Sequence, residues 1–435
     1  MAAFNLIRPD GAGIDLGSER HYVAIPEGRG PEEVCSFGCF TCDLDAMGDW
    51  LLEHGIKDVA MESTGVYWIP VYESLSARGL KVILADARKA KSLPGRKSDV
   101  QDCQWIRDLH MHGLLSACHV PDGQILAVRS YWRQRGRLVE QRSQQIQLMQ
   151  KAMEQMNIQL HKVLKDITGV SGMNIMRAIV QGERDPNKLE ALVRRPVKAT
   201  PEQMRAALQG SWSEHHLFAL TQALETFDFF GSRIEDCDKK IEAKLQEMTG
   251  VEPSEGPKPK SRKNQATVDL HTQVVELLGA DPTQIDGISD ISAMSLISEL
   301  GTDLSGFPSA KHFSSYLGQA PRNKITGGKI KSSRTAKVQS RAATTFRLAA
   351  QSLHSSRCAL GAYYRRLKAR IGPSKALTAT ARKIAIAYYQ LVRNGVVYKD
   401  EGAQVYEARF SEQRKRWLTK QAQKMGMILM PDPAA

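Results

Sequence analysis

Two long runs of apolar residues at heptad spacing occupy the middle of the chain and constrain its fold more than any other feature. In the first run the spacing alternates as 7-3-4-3-4-3, which keeps one stripe of a helix facing a partner helix. The sequence therefore predicts two long amphipathic helices, joined by a shorter helical region, in an antiparallel hairpin or in a coiled coil between chains. The runs are Val139, Ile146, Met149, Met153, Met156, Leu160 and Val163, and Leu217, Leu220, Leu224, Phe227, Ile234, Ile241, Leu245 and Met248.

Short apolar segments typical of strands precede these helices. Gly13–Gly17 and Tyr22–Ile25 predict a hairpin, and Val59–Met61 and Val82–Ala85 predict two buried strands. Helical spacing over residues 68–77 and 99–115 separates and follows these strands. The fold class that we predict is α/β at the amino terminus and all-α in the rest of the chain.

A segment with three prolines, four basic residues and almost no apolar side chains, Pro253–Gln265, predicts an extended linker. A mostly helical unit follows it. We place the domains at residues 1–125 (α/β), 126–250 (helical and oligomerising), 251–266 (linker), 267–400 (second globular unit) and 401–435 (basic tail).

The charge of the chain is distributed unevenly. The formal net charge is +13, and the stretch from Arg322 to Arg347 contains eight basic residues and no acidic one. A polyanion such as DNA or RNA is the natural partner of such a stretch, because each neutralised phosphate releases counterions. We expect nucleic-acid contacts from Arg322, Lys324, Lys329, Lys331, Arg334, Lys337 and Arg341. No run of about 18–20 apolar residues predicts a membrane span.

Four carboxylates form the pattern with the clearest chemistry. Asp15 lies in the first predicted strand, Glu62 ends a later one, and Asp99 and Asp102 are three residues apart at the start of a predicted helix. This order of acids suits a ribonuclease-H-like sheet. Strand acids and an acid pair on one helix face can bind two Mg²⁺ ions about 4 Å apart and promote phosphodiester chemistry. Taken singly, Asp99 could be a helix cap and Glu62 an ion-pair partner.

Two glycine-containing segments follow the linker. Ile285–Ser289, followed by an apolar helix that ends near Gly301, resembles a helix-hairpin-helix, in which backbone N–H groups hold a phosphate. Thr168–Gly172 is a weaker example of the same pattern. The hydroxyl of Thr326 stands before Gly327-Gly328 among basic residues and could attack a phosphate. From local chemistry alone, each segment is equally or better explained as an ordinary turn.

These blocks together resemble the DEDD transposases of the insertion sequence 110 family, which include the pilin-gene invertase. The amino-terminal blocks are Gly13-Ile-Asp15, Met61–Tyr67 and Arg96–Asp102. The carboxyl-terminal blocks are Ile285–Gly301, Phe307–Phe313, Tyr316–Gly318, Pro321-Arg322, Gly327–Lys329 and Ala349-Ala350. They occur in the family's order and cover most of both globular units.

The resemblance implies a RuvC-like domain joined through a coiled coil to a transposase domain. It implies that Asp15, Glu62, Asp99 and Asp102 bind Mg²⁺ and that a serine hydroxyl is the nucleophile. It further implies a homo-oligomer, a dimer or tetramer, in which one subunit's tetrad acts with another subunit's nucleophile. The partners it implies are double-stranded DNA and a structured noncoding RNA from the same element, in the bacterial cytoplasm at the nucleoid.

One position departs from the family pattern, because Thr326-Gly327 stands where the family has Ser-Gly. Threonine keeps the hydroxyl but adds a methyl group that restricts its rotamer. Thr326 is therefore our first choice of nucleophile; Ser332 or Ser333 could replace it, or this copy could be catalytically impaired. The expected function is a recombinase that breaks and rejoins DNA. The alternatives are a RuvC-like nuclease without a covalent intermediate and a nucleic-acid-binding remnant.

Overall fold

A computed structural model of the chain describes residues 6–62, 65–85, 98–115, 117–194, 196–251, 266–338 and 340–430. The predicted linker residues 253–265 lie outside these ranges, as do Ser63, Thr64, Arg96 and Lys97 of the family blocks. The chain divides after Val120 into two compact units, which we call unit 1 and unit 2. No helix of the described residues is long and apolar enough to cross a lipid bilayer.

Unit 1 is built on a mixed five-stranded sheet with the order β3-β2-β1-β4-β5. β1, β2 and β3 are antiparallel neighbours, whereas β1, β4 and β5 run parallel. This topology is consistent with a ribonuclease-H-like domain. The strands are β1 (Gly11–Leu16), β2 (Arg20–Ala24), β3 (Val34–Gly38), β4 (Asp58–Glu62) and β5 (Lys81–Ala85), and the helices are α1 (Thr41–Glu53), α2 (Trp68–Ala77) and α3 (Asp99–Met111).

The two faces of this sheet carry different side chains. Ile14 of β1 and Met61 of β4 are fully buried in an apolar core with Leu51 of α1 and Leu75 of α2. Because side chains alternate along a strand, every second residue of β1 and β4 points to the other face, which α3 covers. The sheet thus separates a hydrophobic core from a face that is available for polar residues.

The main differences from the sequence prediction are the end of α3 and two elements that were not predicted. Helix α3 ends at Met111 and not at residue 115, because Gly113 adopts a left-handed conformation (φ 69°) and its N–H donates to the carbonyl of His110. Strand β3 and helix α1 were not predicted. All five residues of β3 are half-buried, so this edge strand lacks the alternation by which strands are recognised.

Unit 2 is helical apart from one short hairpin. The hairpin is β6 (Lys324–Thr326) and β7 (Lys329–Ser332). The helices are α4 (Gly123–Gln155), α5 (Leu160–Val163), α6 (Val170–Val180), α7 (Pro186–Ala191), α8 (Pro201–Ala207), α9 (Glu214–Thr249), α10 (Leu270–Leu278), α11 (Asp290–Leu300), α12 (Ala310–Tyr316), α13 (Arg341–Ser352), α14 (Ala359–Ile371), α15 (Pro373–Asn394) and α16 (Gly402–Lys424), with 3₁₀ turns at Pro282–Gln284 and Leu353–Ser355.

The two long helices α4 and α9 pack antiparallel within the chain. Arg135 of α4 donates to the carboxylate of Asp238 on α9. Two turns further along α4, towards its carboxyl end, the Arg142 guanidinium lies 4.2 Å from the Phe227 ring centroid. Later positions on α4 thus meet earlier positions on α9. This pairing is the antiparallel hairpin that the heptad runs predicted; a coiled coil between chains stays a prediction.

The long helices connect two hydrophobic cores of unit 2. One core lies where α4 begins and α9 ends, and it contains α10 to α15. The other lies where α4 ends and α9 begins, and it is closed by α5 to α8; we call this second region the helical module. The first heptad run does not continue as one helix, because Asn157 adopts a left-handed conformation (φ 57°) just after the end of α4.

Candidate active site and nucleic-acid interface

Asp15 and Glu62 lie side by side on two parallel strands of unit 1. Ile14 of β1 is paired with Met61 of β4, so the next residues along the strands, Asp15 and Glu62, project together from the other face. Glu62 is buried, with 5% of its surface exposed, and Asp15 is half-buried. The sheet thereby places two carboxylates next to each other, on the face that α3 covers.

Helix α3 approaches this face unusually closely at Gly13. A Cβ atom added there would lie 2.2 Å from the backbone nitrogen of Arg107 and 2.4 Å from the carbonyl oxygen of Cys103. Glycine is therefore required for β1 and α3 to touch. Asp15 is two residues further along β1, so its side chain points to the same side as this contact.

Asp99 and Asp102 occupy the first turn of α3. The helix begins after Ser98, whose hydroxyl accepts the backbone N–H of Gln101 at 3.4 Å. Acidic side chains are favoured in this turn because the N-terminal end of a helix carries a partial positive charge. Asp99 is exposed and Asp102 is half-buried, so Asp102 is the less solvent-accessible of the two acids.

The Cys103 thiol shows that Asp15 lies near the first turns of α3. Burial, and after it the negative charge of Asp15, raises the pKa of Cys103 to about 12. Cys103 directly follows Asp102 in the chain. Asp15 of the sheet and the turn that carries Asp102 therefore belong to one neighbourhood.

The four predicted acids are not gathered into a ready metal cluster. Among the described residues, no group of three or more His, Cys, Asp or Glu side chains is placed to hold a metal ion. The structure brings Asp15 and Glu62 together and sets the turn with Asp99 and Asp102 over the same face. Carboxylate oxygens are the ligands that Mg²⁺ prefers, so the donor chemistry fits this ion.

Thr326 ends the first strand of the β6–β7 hairpin. It is paired with Lys329 across a two-residue turn, in which Gly327 and Gly328 have φ values of 56° and 72°. Positive φ at both central residues is typical of the tight hairpin turn that glycines favour. The glycine pair thus forms a turn, as local chemistry predicted, and it presents the Thr326 side chain exposed at the tip of the hairpin.

The two alternative hydroxyls lie at the other end of the hairpin. The Ser332 hydroxyl accepts the backbone N–H of Arg334 at 3.3 Å. Ser333 is one of the residues that line a cavity of about 850 Å³. The three candidate nucleophiles therefore differ in their surroundings, with only Thr326 at the turn.

The predicted nucleic-acid-binding residues form an exposed basic surface around the hairpin. All seven are exposed. Six of them have no ion pair with another described residue: Arg322, Lys324, Lys329, Lys331, Arg334 and Arg341. Cations without a partner in the fold are available to phosphates.

A basic cavity at the base of the hairpin was not predicted from the sequence. Three cations of α15, Lys375, Arg382 and Lys383, line it together with Arg334, and none of its described lining residues is acidic. Burial, and then the positive charge of Arg366, lowers the pKa of Lys383. These cations lie in the same acid-free part of the chain, which extends from Leu304 to Lys399, but the sequence does not show that they lie beside the hairpin. Their helical spacing, seven and eight residues after Lys375, was the available signal.

The segment that resembles a helix-hairpin-helix forms a tight turn before α11. Gly287 has φ 88°, and a Cβ atom there would lie 2.5 Å from the carbonyl oxygen of Ala349. Ser289 caps α11 by accepting the N–H of Ser292. The turn before α11 is thus present, and phosphate binding at this turn stays a prediction.

Two family models match the chain, and together they cover the four acids and the hairpin. One, for DEDD transposases of the IS110 type, is described as "Transposase" and matches residues 12–158; the other, "Transposase IS116/IS110/IS902 family", matches residues 283–365. The chain belongs to the IS110 family of transposases. No curated protein matches it. The transposase is therefore an enzyme that acts on DNA, and the matched regions contain Asp15, Glu62, Asp99, Asp102 and Thr326.

Proposed function

We propose that this transposase cuts and rejoins DNA strands by using the acids of unit 1 with a hydroxyl nucleophile of unit 2. The observation that carries the proposal is the placement of Asp15 and Glu62 on adjacent parallel strands, beneath the helix turn that contains Asp99 and Asp102. Four oxygen-bearing side chains on three elements of one small domain match the ligand preference of Mg²⁺.

Asp15, Glu62, Asp99 and Asp102 are the residues that would hold Mg²⁺. The ion would supply Lewis-acid stabilisation of the charge that develops on phosphate oxygens during strand cleavage. The chain's own contribution is positional. The β1–β4 pairing fixes Asp15 against Glu62, and the contact at Gly13 fixes the height of α3 above them.

Thr326 is the proposed nucleophile. Its Oγ loses its proton to solvent, attacks a DNA phosphorus atom and forms a P–O bond to the protein. The bond from phosphorus to one DNA oxygen breaks, and that oxygen takes up a proton from solvent and leaves as a strand-end hydroxyl. Attack by the strand-end hydroxyl of another DNA end reverses the step and releases Thr326. Lys329, paired with Thr326 in the hairpin, stands where it can balance phosphate charge.

The exposed basic surface and the cavity at its base are the proposed DNA interface. Arg322, Lys324 and Lys329 belong to the hairpin region, and Lys375 and Arg382 extend the positive surface onto α15. Contacts of this type hold the phosphate backbone without reading its sequence. We further propose, from the family resemblance, that a structured RNA of the same element selects the DNA sites.

The same resemblance supports a homo-oligomer, a dimer or tetramer, as the active form. The proposal places the chain at the bacterial nucleoid, where its DNA substrate is. Both statements rest on the family and on the basic charge of the chain, +13 overall.

The test is to trap the covalent intermediate. The protein is expressed with its element's flanking DNA, the complex is denatured, and DNA that remains attached to protein is measured. We expect an adduct that is lost in Thr326→Ala, is retained in Thr326→Ser and is unaffected by Ser332→Ala. Loss of the adduct in Ser333→Ala with retention in Thr326→Ala would move the nucleophile to Ser333.

Two further outcomes would replace the proposal. DNA cleavage with no adduct, indifferent to Thr326→Ala but lost in Glu62→Gln, would indicate a nuclease that uses water as its nucleophile. Salt-sensitive DNA binding without cleavage, unchanged by Asp15→Asn, would indicate a binding remnant.

A further inference from the structure

The helical module contains a basic cavity that the strand chemistry proposed above does not use. Its volume is about 960 Å³, and it lies between the segment around α5 and the chain that connects α7 to α8. Lys162 and Lys165 come from the segment around α5, and Arg194 and Lys198 come from the chain that connects α7 to α8. The cavity is therefore lined by cations from two separate segments.

These four cations have no partner in the described fold. Each of their side chains is exposed, and none forms an ion pair with another described residue. Asp166 is the one acidic residue among the described residues that line the cavity, and it accepts the backbone N–H of Thr168 at 2.9 Å and the Thr168 hydroxyl at 2.7 Å. His161, also a lining residue, is 3.4 Å from Glu154. Positive charge thus exceeds negative charge on the lining by at least three.

The backbone around the cavity is held in place by specific contacts. The Ser171 hydroxyl accepts the backbone N–H of Arg194 at 2.9 Å and so joins two segments that line the cavity. A Cβ atom at Gly172 would lie 2.0 Å from the carbonyl oxygen of Ile167, so the loop before α6 folds back tightly onto the helix. The cations are therefore mounted on a rigid frame, although their side chains reach into solvent.

We propose that this cavity binds the phosphodiester backbone of a nucleic-acid strand. A volume of about 960 Å³ is larger than a single phosphate group needs. Three lysines and an arginine from two segments suit the phosphates of a nucleic-acid strand. The identification of the polyanion as nucleic acid rests on the proposed function, because nucleic acid is the polyanion on which a DNA-acting enzyme works.

The site is separate from the DNA interface proposed above. It belongs to the helical module, which has its own hydrophobic core, whereas the hairpin and α15 belong to the other core of unit 2. The residues that line the cavity lie between positions 161 and 203, far from Thr326 along the chain. The cavity therefore acts as a docking site for substrate or for an accompanying RNA.

The test measures the salt dependence of binding with the full-length protein. Fluorescence anisotropy is recorded with a labelled duplex DNA and with a labelled folded RNA, for the wild type and for Lys165→Gln/Lys198→Gln. The slope of log K against log[salt] is negative, and we expect it to become shallower by about 1.4–1.8 for at least one probe. Each lost phosphate contact accounts for about 0.7–0.9 of this change. Which probe responds identifies the strand as DNA or RNA.

A matched control removes the same charge from the same module. Lys151→Gln/Lys188→Gln changes two exposed lysines that do not line the cavity, and its slope is expected to equal that of the wild type. Lys165→Arg/Lys198→Arg keeps the charge and is expected to restore the slope. Melting temperatures of all variants check the fold. Slopes that are equal in the cavity and control variants for both probes, or no binding by the wild type, would overturn the inference. Because adduct formation by Thr326 is scored separately, either proposal can fail without the other.

Discussion

Replacing Gly13 by alanine tests whether the active site depends on the contact between β1 and α3. The added Cβ would lie 2.2 Å from the backbone nitrogen of Arg107, whereas ordinary van der Waals contact begins at 3.4 Å. Because the obstacle is backbone and not a flexible side chain, α3 must move away from the sheet by about 1 Å. Asp99 and Asp102 move with the helix, while Asp15 and Glu62 stay with the sheet.

Two effects of Gly13→Ala are expected. Overpacking costs about 1–3 kcal/mol of unfolding free energy, or roughly 5–15 °C in the melting temperature of unit 1. A displacement of about 1 Å in a catalytic arrangement reduces the rate by about 100-fold. Element excision from a plasmid, measured by quantitative amplification of the rejoined DNA, gives the activity, and tryptophan fluorescence on heating gives the stability.

The control is Gly136→Ala, because a Cβ atom at this exposed position in α4 meets nothing within 4 Å. This variant should keep its activity and gain up to about 1 kcal/mol from helix propensity. If Gly13→Ala melts and excises DNA like the wild type, α3 does not touch β1 and the placement of the four acids is wrong.

Three further predictions concern other parts of the fold. Asp238→Ala leaves the Arg135 guanidinium buried without its carboxylate and should lower the unfolding free energy of unit 2 by about 3–5 kcal/mol, measured in urea. Burial lowers the pKa of His21, so the folded chain binds fewer protons than the unfolded one. The contribution of His21 to stability is complete above about pH 6.5 and decreases as the pH falls through 6.5 towards the lower folded-state pKa. Melting curves at pH 7.5 and 5.5 measure this loss. Lys375→Gln/Arg382→Gln should lower the salt slope of duplex DNA binding by about 1.8.

Each of these predictions has a matched control. Asp236→Asn removes an exposed ion pair with Arg233 and should change stability by less than about 1 kcal/mol. His21→Gln should show a smaller loss of stability on acidification than the wild type. An identical loss would mean that another titratable group causes the pH effect. Lys239→Gln/Lys240→Gln removes two exposed charges from α9 and should leave the DNA salt slope unchanged.

The sequence predicts the elements of unit 1 well where the signal is local. The bounds of α2, 68–77, agree with its helical spacing, and β1, β2, β4 and β5 lie at the predicted apolar segments. Adjacency of Asp15 and Glu62 follows from the parallel pairing of two buried strands. The height of α3 above the sheet does not follow, because it depends on a contact between Gly13 and residues about 90 positions later.

Non-local features of unit 2 were missed for the same reason. The heptad runs predict that α4 and α9 pack against a partner helix, and the antiparallel arrangement within the chain was one of two alternatives. The end of α4 depends on the left-handed conformation of Asn157, which the apolar spacing does not contain. The cations of α15 lie beside Arg334 only through folding, so the sequence predicts basic residues around the hairpin and not the cavity that they form.

The most direct test of the central claim is the position of a divalent ion in unit 1. Anomalous scattering from crystals of the full-length protein grown with Mn²⁺ locates such an ion without reference to activity. The proposed arrangement of the four acids predicts a peak in contact with the carboxylates of Asp15 and Glu62, with Asp99 and Asp102 as further ligands. It is contradicted if no peak appears there, or if the ion lies elsewhere while these carboxylates pair with basic side chains.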